Sequence, residues 1–212
     1  YLYLIQITNP SIHPRLPMPS PTHAARRGLW TLLLAGLFLA AGPSDTLAQE
    51  AVLGEETIEP GIAVVFEGAI KDAITPSHQR LAESRTDVHL EARINWSTDS
   101  SVEVPDGTPR GGYIPGLHVY ALIENEGSDQ IRQVTLTPHL NLIDNFHYAR
   151  NVALPGAGSD TYRITFHVHP PDEHELSFHR DWTELYGDRL FAPHTFEYEE
   201  VDFSEIVDQT RR

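Results

Sequence analysis

Beyond residue 58, hydrophobic and polar residues alternate in runs too short for helices. Ile62, Val64 and Phe66 alternate with Ala63, Val65 and Glu67, and Val88, Leu90, Ala92, Ile94 and Trp96 alternate with His89, Glu91, Arg93 and Asn95. A period of two over such runs predicts half-buried β-strands. Another strand is predicted over residues 117–124, with Leu117, Val119, Ala121 and Ile123 on one face and His118, Tyr120 and Leu122 on the other. Asn125-Glu126-Gly127-Ser128 then reads as a hairpin turn into a strand over residues 131–137, with Val134 and Leu136 pointing inward. Tyr162, Ile164, Phe166 and Val168 resume the alternation after the Pro155-Gly156 turn, and residues 191–203 close the pattern with Phe196, Tyr198 and Val201 inward. Residues 97–114, rich in Ser, Asp, Gly and Pro, read as an irregular loop. About seven strands with turn signals between them, and no long helical period, predict an all-β fold: an immunoglobulin-like antiparallel β-sandwich over residues 58–205.

The first 48 residues break this pattern. Arg26 and Arg27 precede an apolar run of 13 residues from Leu29 to Ala41, followed by Thr46-Leu47-Ala48 before Gln49. This is the order of a secretory signal peptide, and the run falls short of the roughly 18 apolar residues that cross a bilayer. Residues 18–48 are therefore expected to be a cleaved signal, leaving no membrane anchor. Met18 stands where an initiating residue would, so residues 1–17 read as an upstream leader without order, broken by prolines at 10, 14 and 17. Residues 49–57 read as a linker, and residues 206–212 as a loose tail.

Charge and composition narrow the function. Loss of Arg15, Arg26, Arg27 and Asp45 with the signal takes the net charge from −15 to −17. So acidic a domain has nothing to replace phosphate counterions, which argues against nucleic-acid binding. The acidity fits two readings, local enrichment of cations and plain solubility. The absence of cysteine excludes disulfides, thiolate zinc sites, iron–sulfur clusters and cysteine nucleophiles. No Gly-x-Ser-x-Gly elbow, His-Glu-x-x-His helix or phosphate-cradling glycine loop is present, so hydrolase chemistry finds little support.

Metal-binding chemistry finds more. Ten of the twelve histidines lie between His78 and His194. Carboxylates pair with three of them in sequence: Glu91 with His89, Asp144 with His147, and Asp181 with His179. The period of two puts His89 and Glu91 on one outward strand face, about 7 Å apart, which suits one extended metal site as well as a solvated polar face. His139, Asp144 and His147 fall between Pro138 and Asn151, a stretch without a clean period that reads as a loop; a turn between Asp144 and His147 would let both reach one ion. His167-x-His169-x-x-x-Glu173 and His147-x-x-x-Asn151 echo pieces of a cupin signature, but in reversed order, without the framing glycines and with Pro170-Pro171 between the ligands.

The segment Asp-Asn-Phe-His-Tyr-Ala-Arg-Asn-Val from Asp144 to Val152 resembles the Asp-Gly-Pro-His-Tyr-Gly-x-Asn-Val/Ile signature of bacterial periplasmic iron-transport proteins, copper-binding partners of an inner-membrane iron permease. Val88-His-Leu-Glu-Ala92 resembles the family's His-Leu-Glu-Ala strand, Tyr162 to Pro171 its Tyr-x-Leu-Thr-(Phe/Tyr)-His-Ile-x-Pro-Pro strand, and Phe178-His-Arg-Asp181 its His-x-Asp-x-Glu-x-Gly segment with one residue of stretch. The four motifs occur in the family's order, and the resemblance spans about Ile58 to Phe203.

The resemblance implies the same sandwich fold, copper at His89, His147 and His179, and iron, with manganese or zinc able to substitute, beside Glu91 and Asp144. It implies a periplasmic homodimer that binds copper and iron and hands iron to an inner-membrane permease, with no catalysis in the ordinary sense beyond a copper-assisted change of iron redox state. The family's methionine ligand is missing. His139 stands in its place if the loop carries one inserted residue, and Leu140 does so by a gapless count. Two other functions fit the residues: a periplasmic copper- or zinc-binding chaperone unconnected with iron, and a metal-free sandwich used for interaction.

Overall fold

A computed structural model of the chain describes residues 50–209. Eight strands form an antiparallel sheet system: β1 (Glu50–Ile58), β2 (Ile62–Ala69), β3 (Val88–Trp96), β4 (His118–Asn125), β5 (Ile131–Leu140), β6 (Phe146–Val152), β7 (Thr161–His169) and β8 (His194–Asp202). Two short α-helices, α1 (Arg180–Tyr186) and α2 (Ser204–Val207), and two single 3-10 turns, Ser77–Gln79 and Glu83–Arg85, complete it. The order across the system is β1-β2-β3-β6-β5-β4-β7-β8. The immunoglobulin-like, all-β reading holds.

β5 joins the two layers. Its first half, Ile131 to Leu136, pairs with β4, and Thr137 to Leu140 pair with β6. One layer is thus β1-β2-β3-β6 with the end of β5, and the other is β4-β7-β8 with its beginning. The inner faces meet in an apolar core in which Phe66 of β2 stacks on Phe166 of β7, ring centroids 4.1 Å apart. Burial of these faces drives the packing. The buried Tyr148 hydroxyl accepts from the Leu117 N–H at 3.0 Å and donates to the Ile114 carbonyl at 2.8 Å, fixing β6 to the segment that enters β4.

Three sequence readings change. Residues 50–58, read mostly as linker, form β1; as an edge strand with a bulge between Val52 and Gly54 it carries no regular alternation. Gly54 is required there because a Cβ would run into the Tyr198 ring. The region read as a ligand loop is the hairpin β5–β6, in which only residues 141–145 are irregular; Pro138 and the polar ligands break the apolar pattern without breaking the strands. The tail is anchored as far as α2, where Ile206 is buried. The expected leader and signal peptide lie outside the described residues. No helix among the described residues is long and apolar enough to cross a membrane.

Candidate metal centre

The outward face of the β2-β3-β6-β5 layer carries His89, His139 and His147. In an antiparallel sheet, directly opposed residues share a face. His89 opposes Asn151, Glu91 opposes Ala149, Ala149 opposes Thr137, and His147 opposes His139. Ala149 contributes only a methyl group to the middle of this face, leaving room for the longer side chains around it.

His89, His139 and His147 each offer a ring nitrogen, and these three atoms lie within 4.8 Å of one another. The His89 and His139 rings stack at 5.2 Å, while His147 meets them edge-on at 6.2 and 6.0 Å. Glu91 completes the group, its carboxylate 3.6 Å from His89 Nε2 and 3.8 Å from His147 Nε2. All four side chains are buried. The connection between β2 and β3 covers them: Asp72, Ala73, Ile74, Thr75 and Arg80 wall a cavity of about 400 Å³ floored by His89, Glu91, His139 and His147.

Hydrogen bonds fix which nitrogen each ring presents. Asn151 Nδ2 donates to the Asp72 carbonyl at 2.8 Å and the Leu81 carbonyl at 3.1 Å, so its Oδ1 must accept from His89 Nδ1–H at 2.7 Å. His147 Nδ1 lies 3.2 Å from the Asn145 carbonyl, which can only accept. Both rings therefore carry their proton on Nδ1 and turn the Nε2 lone pair inward, the arrangement that prepares imidazole for a metal. Both His139 nitrogens are buried with no hydrogen-bond partner. Burial first, then the neighbouring His89 and His147, push its pKa down to about 3, so it stays neutral. A buried imidazole with two orphaned nitrogens is costly unless something binds it. Three neutral imidazoles beside a carboxylate fit copper or zinc.

The profile of the family described as Fe2+ transport protein matches residues 47–204. The chain belongs to that family. Among solved structures, it is 27% identical to a copper-bound variant of Campylobacter jejuni P19, covering 71% of this chain and 96% of that one with a TM-score of 0.59. A copper-bound variant of FetP from uropathogenic Escherichia coli strain F11 shares the fold at 22% identity and a TM-score of 0.57, over 72% of this chain and 96% of that one. The 34 kDa membrane antigen of Treponema pallidum (strain Nichols) is 30% identical over 100 residues, 47% of either chain, so the match spans about half of that relative's length.

Of the six ligands expected from the family motifs and the loop, the structure gathers His89, His139, His147 and Glu91. Of the two residues weighed for the missing methionine, His139 points into the group, whereas the Leu140 side chain is exposed. Asp144 turns aside, with Oδ2 accepting from Asn141 Nδ2 at 2.7 Å and Oδ1 3.8 Å from Arg93 Nη1. His179 caps α1, is exposed and stands outside the cluster. The outward histidines are not solvated as an uncovered strand face would be, because the β2–β3 connection lies over them. Two partners escaped the sequence reading. Asn151 is legible only from its register opposite His89, and Glu67 only from its register opposite Glu91.

Proposed function

We propose that the protein is an exported, periplasmic metal-binding component of iron uptake that holds copper at His89, His139 and His147 and passes iron to an inner-membrane permease. Glu91, whose carboxylate lies beside His89 and His147, would with Asp144 supply harder oxygen donors suited to iron or manganese. The observation that carries this reading is the buried imidazole trio, with His139 left without any partner of its own. Copper bound there would supply a redox-active centre; the protein's part is to hold three neutral donors and exclude bulk water. Copper in the P19 and FetP variants supports the choice of ion, and the recombinant periplasmic expression of FetP supports the compartment.

The homodimer belongs to the same proposal. Leu142 and Ile143 stand exposed at the tip of the β5–β6 hairpin next to the centre, apolar surface that a second copy would cover. His179, exposed at the start of α1, is then available to a neighbouring copy rather than to its own trio.

His89→Ala and His147→Gln each remove one inward nitrogen. The purified metal-free protein is expected to take up one equivalent of Cu(II), and each variant to lose it while retaining its β-sheet circular dichroism. Full copper occupancy in both variants would reject the assignment. Deleting the gene should slow iron uptake under iron limitation; unaltered uptake would leave the copper- or zinc-carrier function instead.

A further inference from the structure

Next to the imidazole trio, on the same outward face of β3, stands Arg93. Its guanidinium reaches two carboxylates from different elements: Nη2 lies 2.6 Å from Glu67 Oε1 on β2, and Nη1 lies 3.8 Å from Asp144 Oδ1 in the β5–β6 turn. Glu67 is 1% exposed and sits directly opposite Glu91 in the β2–β3 register. Its second oxygen, Oε2, is buried without a hydrogen-bond partner. The Arg93 side chain is 33% exposed, so it can swing outward where the carboxylates cannot.

Three carboxylates therefore stand together at the edge of the trio, Glu67 and Asp144 on Arg93 and Glu91 across from Glu67 in register, and Glu67 carries an unsatisfied buried oxygen. This is a donor set for a hard, oxygen-seeking divalent cation. In this structure a side chain already supplies the positive charge. We propose that Arg93 is a tethered cation that occupies the carboxylate half of the centre, so that a second metal ion binds there only by displacing the guanidinium. The inference rests on the reading of the trio as the copper site and deepens it: Arg93 sets how tightly the neighbouring cation is held. A weakly held, displaceable cation suits cargo, whereas copper stays at the imidazoles. The planar guanidinium suits this role because its two nitrogens address two carboxylates at once.

The probe is Mn(II), whose free hexaaqua ion gives an electron paramagnetic resonance signal that disappears on binding. Arg93→Met removes the charge and keeps much of the bulk. Arg93→Gln also removes the charge, and its amide can still donate to Glu67, so Glu67 is not left buried without a partner if the first variant folds poorly. Arg93→Lys keeps the charge. Mn(II) binding at least tenfold tighter than wild type in Arg93→Met and Arg93→Gln, with Arg93→Lys close to wild type, is the expected result. Mn(II) affinity no tighter than wild type in whichever of the two neutral variants folds overturns the proposal and leaves Arg93 a structural ion pair. Cu(II) titration of the wild-type protein runs in parallel. A wild type that takes up no copper refutes the copper reading separately, because the Mn(II) comparison does not use the imidazoles.

Discussion

Asn151 holds a ligand and the cover over it with one amide group, which makes it the sharpest place to test the centre. In Asn151→Ala, His89 loses the acceptor that keeps its proton on Nδ1, and the carbonyls of Asp72 and Leu81 lose their shared donor. Losing such an outer partner of a ligating histidine costs about 10–100-fold in metal affinity, or about 1.4–2.8 kcal/mol. The three lost hydrogen bonds, at about 1 kcal/mol each, should lower metal-free stability by about 2–3 kcal/mol. Competition against a chromophoric chelator reads the first quantity, and urea unfolding reads the second. Asn151→Asp separates them. Its carboxylate still accepts from His89 but repels the two carbonyl oxygens, so it should keep copper affinity near wild type while losing stability. Copper affinity within twofold of wild type in Asn151→Ala, with stability reduced as stated, would show that Asn151 only pins the loop and that the His89 tautomer is not controlled from there.

Two further outcomes concern His139 and, away from the centre, Asp160. His139→Met introduces the thioether that the family pattern has and this centre lacks; it should raise the preference for Cu(I) over Cu(II) at least tenfold, and a wild-type protein that already prefers Cu(I) would contradict this. Asp160 Oδ2 accepts from Asn125 Nδ2 at 2.7 Å and from the Ala157 N–H at 2.8 Å, bonds that hold its carboxyl below the usual carboxylate range. A depressed folded-state pKa adds stability that is present above the unfolded value and lost as pH falls through the folded one. Asp160→Asn should therefore be less stable than wild type at pH 7, with the deficit closing as the pH drops below about 4; a deficit that stays constant with pH would show that the charge plays no part.

The fold was legible because its strands bury one face and wet the other. β3 spans the predicted residues, and β4 and β7 begin and end within a residue or two of the predicted limits. β1 was not, since an edge strand with a bulge buries too little to impose a period. The centre was partly legible for a related reason. Alternation placed His89, Glu91 and Arg93 on one face, but only cross-strand register brings Asn151, Glu67 and His139 to them, and register follows from how β5 leaves one layer and joins the other. Pro138 and the polar side chains of residues 139–147 hid that crossing as an apparent loop. Nor could periodicity reveal that residues 70–87 return over the face and turn an outward position into a buried one.

That return explains why the centre lies on the outside of a sheet. The interior is closed to it, filled by Phe66, Phe166 and their neighbours, where a metal would displace well-packed apolar side chains. An uncovered outward face would leave the imidazoles hydrated and open to protonation as the medium acidified. Laying the β2–β3 connection across the face removes the water without disturbing the core. The same desolvation that makes His139 expensive to bury alone keeps it neutral and ready to bind. In the proposed arrangement Glu91 would set its carboxylate against a divalent ion, while Arg93, two residues along the same strand face and bound to Glu67, would be the charge such an ion competes with. The proposed centre would combine an imidazole-lined, desolvated pocket for a retained ion with a charge-balanced edge for an exchangeable one. The two halves share Glu91, so charge changes on one side must be felt on the other.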